Sequence, residues 1–233
     1  MKAKSLVLDT QRFWSPDTVS PPLSLPDTSR FGNHGAFAHG GGGATDPVWT
    51  RLPSGIWVLD LDGTEEQYVD CGNDNSLNLG ILDFTVECWA RFPAAANIAQ
   101  VIAKSDIGAN NRWELMKVAP GEVEFYAITV ADGMICEIMG VTSINDGVFH
   151  HIVCLADRGN RGWIYLDGVD DSDGIHDTCH ALEMDNPSNL LIGTQNHNFY
   201  TTGELNLIRI HKYLLSPAEV NKHFEAERRW FGV

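Results

Sequence analysis

The chain lacks any Lys/Arg cluster longer than two adjacent residues, and its 16 Lys and Arg face 31 Asp and Glu, for a formal net charge of −15. Nucleic acid and anionic lipid both need a basic footprint, so neither is an expected partner. No apolar run approaches the roughly 18 residues of a membrane span, which argues against membrane insertion. The opening stretch "MKAKSLVLDTQRF" holds a three-residue apolar run, too short for a secretory signal. The protein is therefore expected to be made in the cytoplasm. It then works there, leaves by lysis or a signal-free route to end in a virion or outside the cell, or is an excised module.

Cysteine is scarce and odd in number, with five residues and no C-x-x-C spacing, which removes a zinc site from consideration. Cys88, Cys136 and Cys154 lie in apolar strand-like runs, where a thiol behaves as a small hydrophobe. Cys71 and Cys179 lie in turn-rich sequence and could pair, although free thiols throughout suit a reducing site of synthesis. Helix signals are nearly absent. The exception is "SPAEVNKHFEAERRWFGV" (216–233), with Ser216 as cap, Pro217 at the first helical position and Glu219 completing a capping box. Val220, Phe224 and Glu227 fall on one stripe, with Trp230 and Phe231 beyond. This face is expected to pack on the rest of the chain or on a partner, a second copy included.

What remains is β-sequence. Of the 233 residues, 43% are hydrophobic, enough for a real core. Strand-like segments recur between Gly, Asn, Asp and Pro: 5–9, 55–61, 68–72, 84–92, 100–105, 112–118, 122–130, 134–140, 149–157, 161–168, 189–195 and 205–214. Short strands separated by turn signals predict an all-β antiparallel sandwich or barrel. Within 84–92, Phe84, Val86, Cys88 and Ala90 point one way, and Thr85, Glu87, Trp89 and Arg91 the other. Trp89 and Trp113 read as core. His150 and His151, adjacent on a strand, face opposite sides and read as structural. No linker or repeat is visible, and residues 10–54, rich in Gly, Pro, Ser and Thr, read as a long ordered connection between outer strands. A single domain over 1–233 is expected, with 216–233 as a helical tail.

Four stretches stand in a recognisable order: "DTSRFGNHGAF" (27–37), "VLDLDGTEEQYVDCGNDNSLNLGILDFTVECWARF" (58–92), "INDGVFHHIVCLADRGNRGWIYLDGV" (144–169) and "GELNLIRIHKYLLSPAEV" (203–220). Together they resemble the laminin G-like modules of the concanavalin A-like superfamily, which also holds pentraxins, legume lectins and family 16 glycoside hydrolases. The resemblance implies a jelly-roll sandwich of two antiparallel sheets.

That superfamily raises the question of catalysis. Its retaining glycosidases carry Glu-x-Asp-x-x-Glu on one strand, and their two working carboxyl groups stand about 5 Å apart. Here the same spacing reads Glu204, Asn206 and Arg209. Positions one and three share a strand face, and the sixth joins them only through a bulge. No carboxylate stands at the acid/base position, so enzyme activity is not expected. The laminin G-like pattern I-D-E-V-R-I-Y fits Leu205 to His211 better, with Asn206 for Asp, Leu207 for Glu and Arg209 as the usual Arg.

The same resemblance implies a structural Ca²⁺ held between the early loop and the late strand. Its ligands would be Asp27, Asn33 and Asn206, with Leu207 removing one oxygen from a set that calcium prefers at six to eight. The acidic stretch "DDSDGIHD" (170–177) has a faint calcium-loop look but reads first as a solvated hairpin turn. For a ligand site, the loops at strand ends are the obvious surface. Asn110, Asn111 and Arg112 in one loop, and Asn196, His197 and Tyr200 in another, offer amides and aromatics suited to sugar hydroxyls and ring faces. The leading expectation is non-catalytic recognition of a carbohydrate or cell-surface ligand. The alternative is a phage virion protein, decorating a capsid or tail and contacting its proteins.

Overall fold

The computed structural model describes residues 4–8, 23–40, 45–94, 98–105, 111–129, 132–195 and 198–233. In chain order the strands are β1 (Lys4–Leu8), β2 (Ser24–Leu25), β3 (Gly35–His39), β4 (Val48–Arg51), β5 (Trp57–Leu61), β6 (Gln67–Asp70), β7 (Phe84–Arg91) and β8 (Ala99–Lys104). They continue as β9 (Asn111–Lys117), β10 (Val123–Thr129), β11 (Gly133–Met139), β12 (His150–Ala156), β13 (Gly162–Leu166), β14 (Val169–Asp170), β15 (Leu190–Ile192) and β16 (Gly203–His211), before one helix, α1 (Pro217–Phe231). They form two antiparallel sheets. The first runs β14-β13-β12-β7-β16-β5-β4, with β1 sharing the β5 edge of β16, and the second runs β11-β10-β9-β8-β15-β6-β3-β2. This is the expected jelly-roll sandwich. No described helix is long and apolar enough to cross a membrane.

Alternation in the sequence decides which side chains meet between the sheets. Phe84, Val86, Cys88 and Ala90 of β7 enter the core opposite Trp113 and Leu115 of β9 and Phe125 of β10. Thr85, Glu87 and Trp89 point the other way, as strand geometry requires, and are nonetheless fully buried, because α1 lies across that outer face. The helix starts with the predicted capping box between Ser216 and Glu219 and has Pro217 in its first turn. It buries Val220, Phe224, Glu227 and Phe231, whereas Trp230 packs only partly against the cluster of Trp89, Phe149 and Leu207. Of the two terminal aromatics Phe231 is the more deeply buried. Its ring stacks on Trp89 with centroids 4.2 Å apart.

Two expectations need correction. Residues 23–51 supply β2, β3 and β4 instead of a bare connection. Their Gly- and Pro-rich sequence hides them because β6 and β5 provide their pairing. The cysteine pair is Cys136–Cys179, with Cα atoms 4.1 Å apart, and Cys71, like Cys88 and Cys154, is a free buried thiol. The cause is that 178–180 adds alongside β11: Glu137 N donates to Thr178 O and His180 N to Ile135 O. This sets Cys179 against Cys136.

Candidate functional site

On the outer face of the second sheet, the side chains left over from core alternation form a polar constellation. On β9, Trp113 and Leu115 go inward, so Arg112, Glu114 and Met116 go outward. On β10, Phe125 goes inward and Tyr126 outward. The register sets Glu114 beside Tyr126 on one side and Ala103 on the other, with Gln100 opposite Met116 one step along. Gln100 Nε2 donates to Glu114 Oε2 at 3.2 Å. Gln195 Nε2 donates to Glu114 Oε1 and approaches Ser105 Oγ at 3.4 Å. Arg112 lies with Nε 3.7 Å from Glu114 Oε1 and its guanidinium 5.6 Å from the Tyr126 ring centroid.

This cluster is not solvated as an ordinary outer sheet face would be: Glu114 is 0% exposed and Gln100 1%. Burial pushes the Glu114 carboxyl up, and hydrogen bonds from Tyr126, Ser105 and Gln195 and the charge of Arg112 offset only part of that. Burial, with the neighbouring Glu114 charge, pushes the Tyr126 phenol up to about 12. Within this cluster two buried polar atoms lack any hydrogen-bond partner, the Gln100 Oε1 acceptor and the Arg112 Nε donor. Leaving such groups unpaired costs about 1–3 kcal/mol each; both lie below the surface, so a hydroxyl, which donates and accepts, would complete them only where the cover above them moves aside.

Of the predicted ligand residues, Arg112 stands in this constellation. Asn111 is beside it, but its side chain donates to Asp185 O at 3.1 Å. Tyr200 pairs with Tyr68 at 6.4 Å between centroids, and the next residue, Thr201, donates to Gln100 O at 2.7 Å. Asn110, Asn196 and His197 lie outside the described residues. The two loops expected to carry a site do start close together, since Ser105 and Gln195 meet beside Glu114. Gln100, Glu114, Tyr126 and Gln195 were missed. Their signal was the polar half of each strand's alternation, which reads as simple solvation when the cover over it is unknown.

The outer face of the first sheet is also polar, but there the buried carboxylates are matched by cations, and among the described residues of that network only the two ring nitrogens of His151 lack a hydrogen-bond partner. Glu87 receives Arg209 Nη1 at 3.2 Å, lies 2.7 Å from His211 Nε2 and 2.9 Å from His223 Nδ1, and has His151 Nε2 at 3.4 Å. Arg209 also donates to Glu227 at 2.6 Å, and Trp89 Nε1 donates to the same carboxylate at 2.8 Å. Burial alone would raise Glu87, but Arg209 and the three histidines hold it well below the usual carboxylate range. Here the glycosidase-like spacing is accounted for. A register shift between Asn206 and Arg209, with Leu207 at φ 47°, brings the sixth position onto the face of the first and third. That position is Arg209, bound to Glu87 and Glu227 beneath α1, while Glu204 pairs with Arg91.

The proposed calcium ligands are engaged in building turns. Asp27 accepts from Ser29 N, Ser29 Oγ and Asn33 N, each at 2.7 Å. Asn33 Nδ2 donates to Ser76 Oγ at 2.9 Å. Asn206, on β16, donates to Trp57 O at 2.8 Å and accepts from Leu207 N at 2.7 Å. The early-loop pair and Asn206 thus make hydrogen bonds to different neighbours. Among the described residues, no group of three or more His, Cys, Asp or Glu has the arrangement of a metal site. In the 170–177 stretch, Asp170 caps Ser172 and Asp173 holds His176 at 2.6 Å, as a hairpin turn does. A further cleft of about 360 Å³, lined mainly by Leu155, Trp163, Tyr165, Leu214 and Pro217, opens beside the start of α1.

Comparison with known proteins places this geometry in context. Residues 62–221 match the family model for the concanavalin A-like lectin/glucanases superfamily. The binding domain of Paraclostridial Mosquitocidal Protein 1 superposes with a TM-score of 0.71 at 15% identity, covering 99% of this chain and 55% of that one. The binding domain of botulinum neurotoxin DC, solved in complex with SialylT, gives 0.66 at 14% identity, covering 96% and 51%. The chain thus spans about half the length of these toxin domains. Domain 4 of AbnA, an extracellular arabinanase from Geobacillus stearothermophilus, solved with arabinotriose, gives 0.68 at 13% identity and covers 95% of this chain and 98% of that one. At such identities the likeness is one of fold. A search of curated proteins finds no match.

Proposed function

Because the chain belongs to the concanavalin A-like lectin/glucanase superfamily, we propose that it is a carbohydrate-recognition module, binding through the outer face of the second sheet without turning its ligand over. The observation that carries the reading is the buried, under-satisfied constellation around Glu114, with its unpaired Gln100 acceptor and Arg112 donor. The Tyr126 ring supplies a flat apolar surface beside it, and the Tyr68–Tyr200 pair extends aromatic area past Gln100. Sugars present hydroxyls and apolar ring faces together, which is what such a mixture accommodates. Two relatives of the same fold were solved with SialylT and with arabinotriose, which supports a glycan as the ligand class. A lack of turnover is consistent with Arg209 standing at the sixth position of the glycosidase-like spacing. The comparisons lend the virion alternative no support.

The test is native mass spectrometry of the protein with a mixed oligosaccharide library, run on wild type, Tyr126→Ala and Tyr126→Phe. Glycan adducts are expected on wild type, retained in Tyr126→Phe and lost in Tyr126→Ala, with both variants folded by circular dichroism; both lose the phenol's hydrogen bond to Glu114, so only the loss of the ring separates them. Adducts surviving in Tyr126→Ala would move the site elsewhere, and none on wild type would remove the reading.

A further inference from the structure

We propose that the Glu114 face selects neutral oligosaccharides and rejects acidic ones, those bearing sialic or uronic acids; the inference rests on the glycan reading above. Charge and donor–acceptor balance on this face both favour a neutral ligand. Around Tyr126, the register sets Glu114 directly across on β9 and Glu137 directly across on β11, with Glu124 two residues along the same strand. All three project outward. Glu124 is close enough to Glu137 and Glu114 for their charges to act on it, and burial together with those charges raises its carboxyl. Asp70 adds a fourth carboxylate further along the face, across from Leu191.

Against these stands little positive charge. Among the described outward-facing strand residues of the second sheet, Arg112 is the single Lys or Arg, and it already lies over Tyr126 and beside Glu114. Lys104 of β8 turns away, giving its ammonium to Asn73 Oδ1, Asn186 O and Ser188 O. His176, the other basic group near Glu124, is held by Asp173. A ligand carboxylate needs a cation that is not already matched, and like charges set side by side are a main source of rejection at an interface. The open valences point the same way. The Gln100 Oε1 acceptor needs a hydrogen, which a sugar hydroxyl has and a carboxylate lacks. The Arg112 Nε donor is met equally well by a hydroxyl or ring oxygen, and a carboxylate placed there would stand against Glu114.

The experiment is an immobilised array in which neutral oligosaccharides (galactotriose, xylotriose, arabinotriose, lactose) are paired with acidic ones (trigalacturonate, sialyllactose). Calorimetry then follows on the tightest neutral ligand and its acidic counterpart. The expected result is binding by neutral members, with the acidic counterpart at least about tenfold weaker. The gap should narrow in Glu124→Gln/Glu137→Gln, a pair of outward, half-buried positions where loss of charge leaves packing intact. Acidic members bound as tightly as neutral ones, or an unchanged gap in the double variant, would overturn the inference while leaving glycan binding standing. An array with no bound member would instead remove the glycan reading itself.

Discussion

Each sheet carries a buried glutamate at the middle of its outer face, and the two are solved in opposite ways. Glu87 is surrounded by Arg209, His151, His211 and His223, with α1 closed over it, and its carboxyl sits well below the ordinary range. Glu114 is equally hidden but has amides, a hydroxyl and a phenol for company, with one arginine at 3.7 Å, and its carboxyl is raised. A buried charge that is fully paired anchors structure, and breaking it is expensive. A buried polar group left short of partners is a standing cost, and it makes sense where something else completes it. The first face, whose buried carboxylates have matching cations, reads as the fastening of the helix; the second, whose buried carboxylate has one distant arginine, is the face proposed to take a ligand.

The largest effect that would break this contrast is on the fastened side. Arg209→Met leaves Glu87 and Glu227 without their shared cation, and should cost about 3–5 kcal/mol, a fall of roughly ten degrees in Tm for a chain of this size. A Tm within a degree or two of wild type would mean that the histidines alone hold Glu87. Next, Ser216→Ala removes the cap that accepts from Glu219 N and should cost about 1 kcal/mol, measured by urea unfolding. No loss would show α1 to be held by its apolar face alone.

The two glutamates should also differ in how they answer pH. Glu87 has a depressed folded pKa, so its contribution is present above the ordinary carboxylate value and is lost as pH falls through the depressed one. Glu114 has a raised folded pKa, so the folded state holds its proton more tightly, and stability declines as pH rises from the ordinary value through the raised one. Glu114→Gln should therefore gain stability relative to wild type on the neutral side of that window, and Glu87→Gln should flatten the acid limb. Urea midpoints from about pH 3 to 8 would show it, and parallel profiles for Glu114→Gln and wild type would contradict the assignment. The smallest effect concerns calcium. Asp27 and Asn206 hydrogen-bond to different partners, so chelation should leave Tm unchanged, and a clear fall on chelation would place an ion at the early loop.

Much of the fastened face was legible in the sequence. Alternation in 84–92 placed Glu87 and Trp89 opposite Phe84 and Val86, and Ser216, Pro217 and Glu219 marked the start of α1. What alternation does not carry is which outward residues are then covered. His223 and Glu227 reach Glu87 and Arg209 across more than a hundred residues and eighteen residues respectively, and only the packed helix brings them there. The same limit hid Gln100 and Glu114, which look like solvated positions on a strand. The Asn-rich loops led to Arg112 because loop polarity is local. The Cys136–Cys179 pair escaped because it depends on 178–180 running beside β11.

The contrast between the faces is tested most directly by amide shift mapping on isotope-labelled protein titrated with the tightest oligosaccharide. The account predicts shifts concentrated at Gln100, Arg112, Glu114, Tyr126 and Gln195, with Glu87, His151, Arg209 and His223 unmoved. Shifts gathered around α1 and the Glu87 network instead, with the Glu114 face silent, would contradict it.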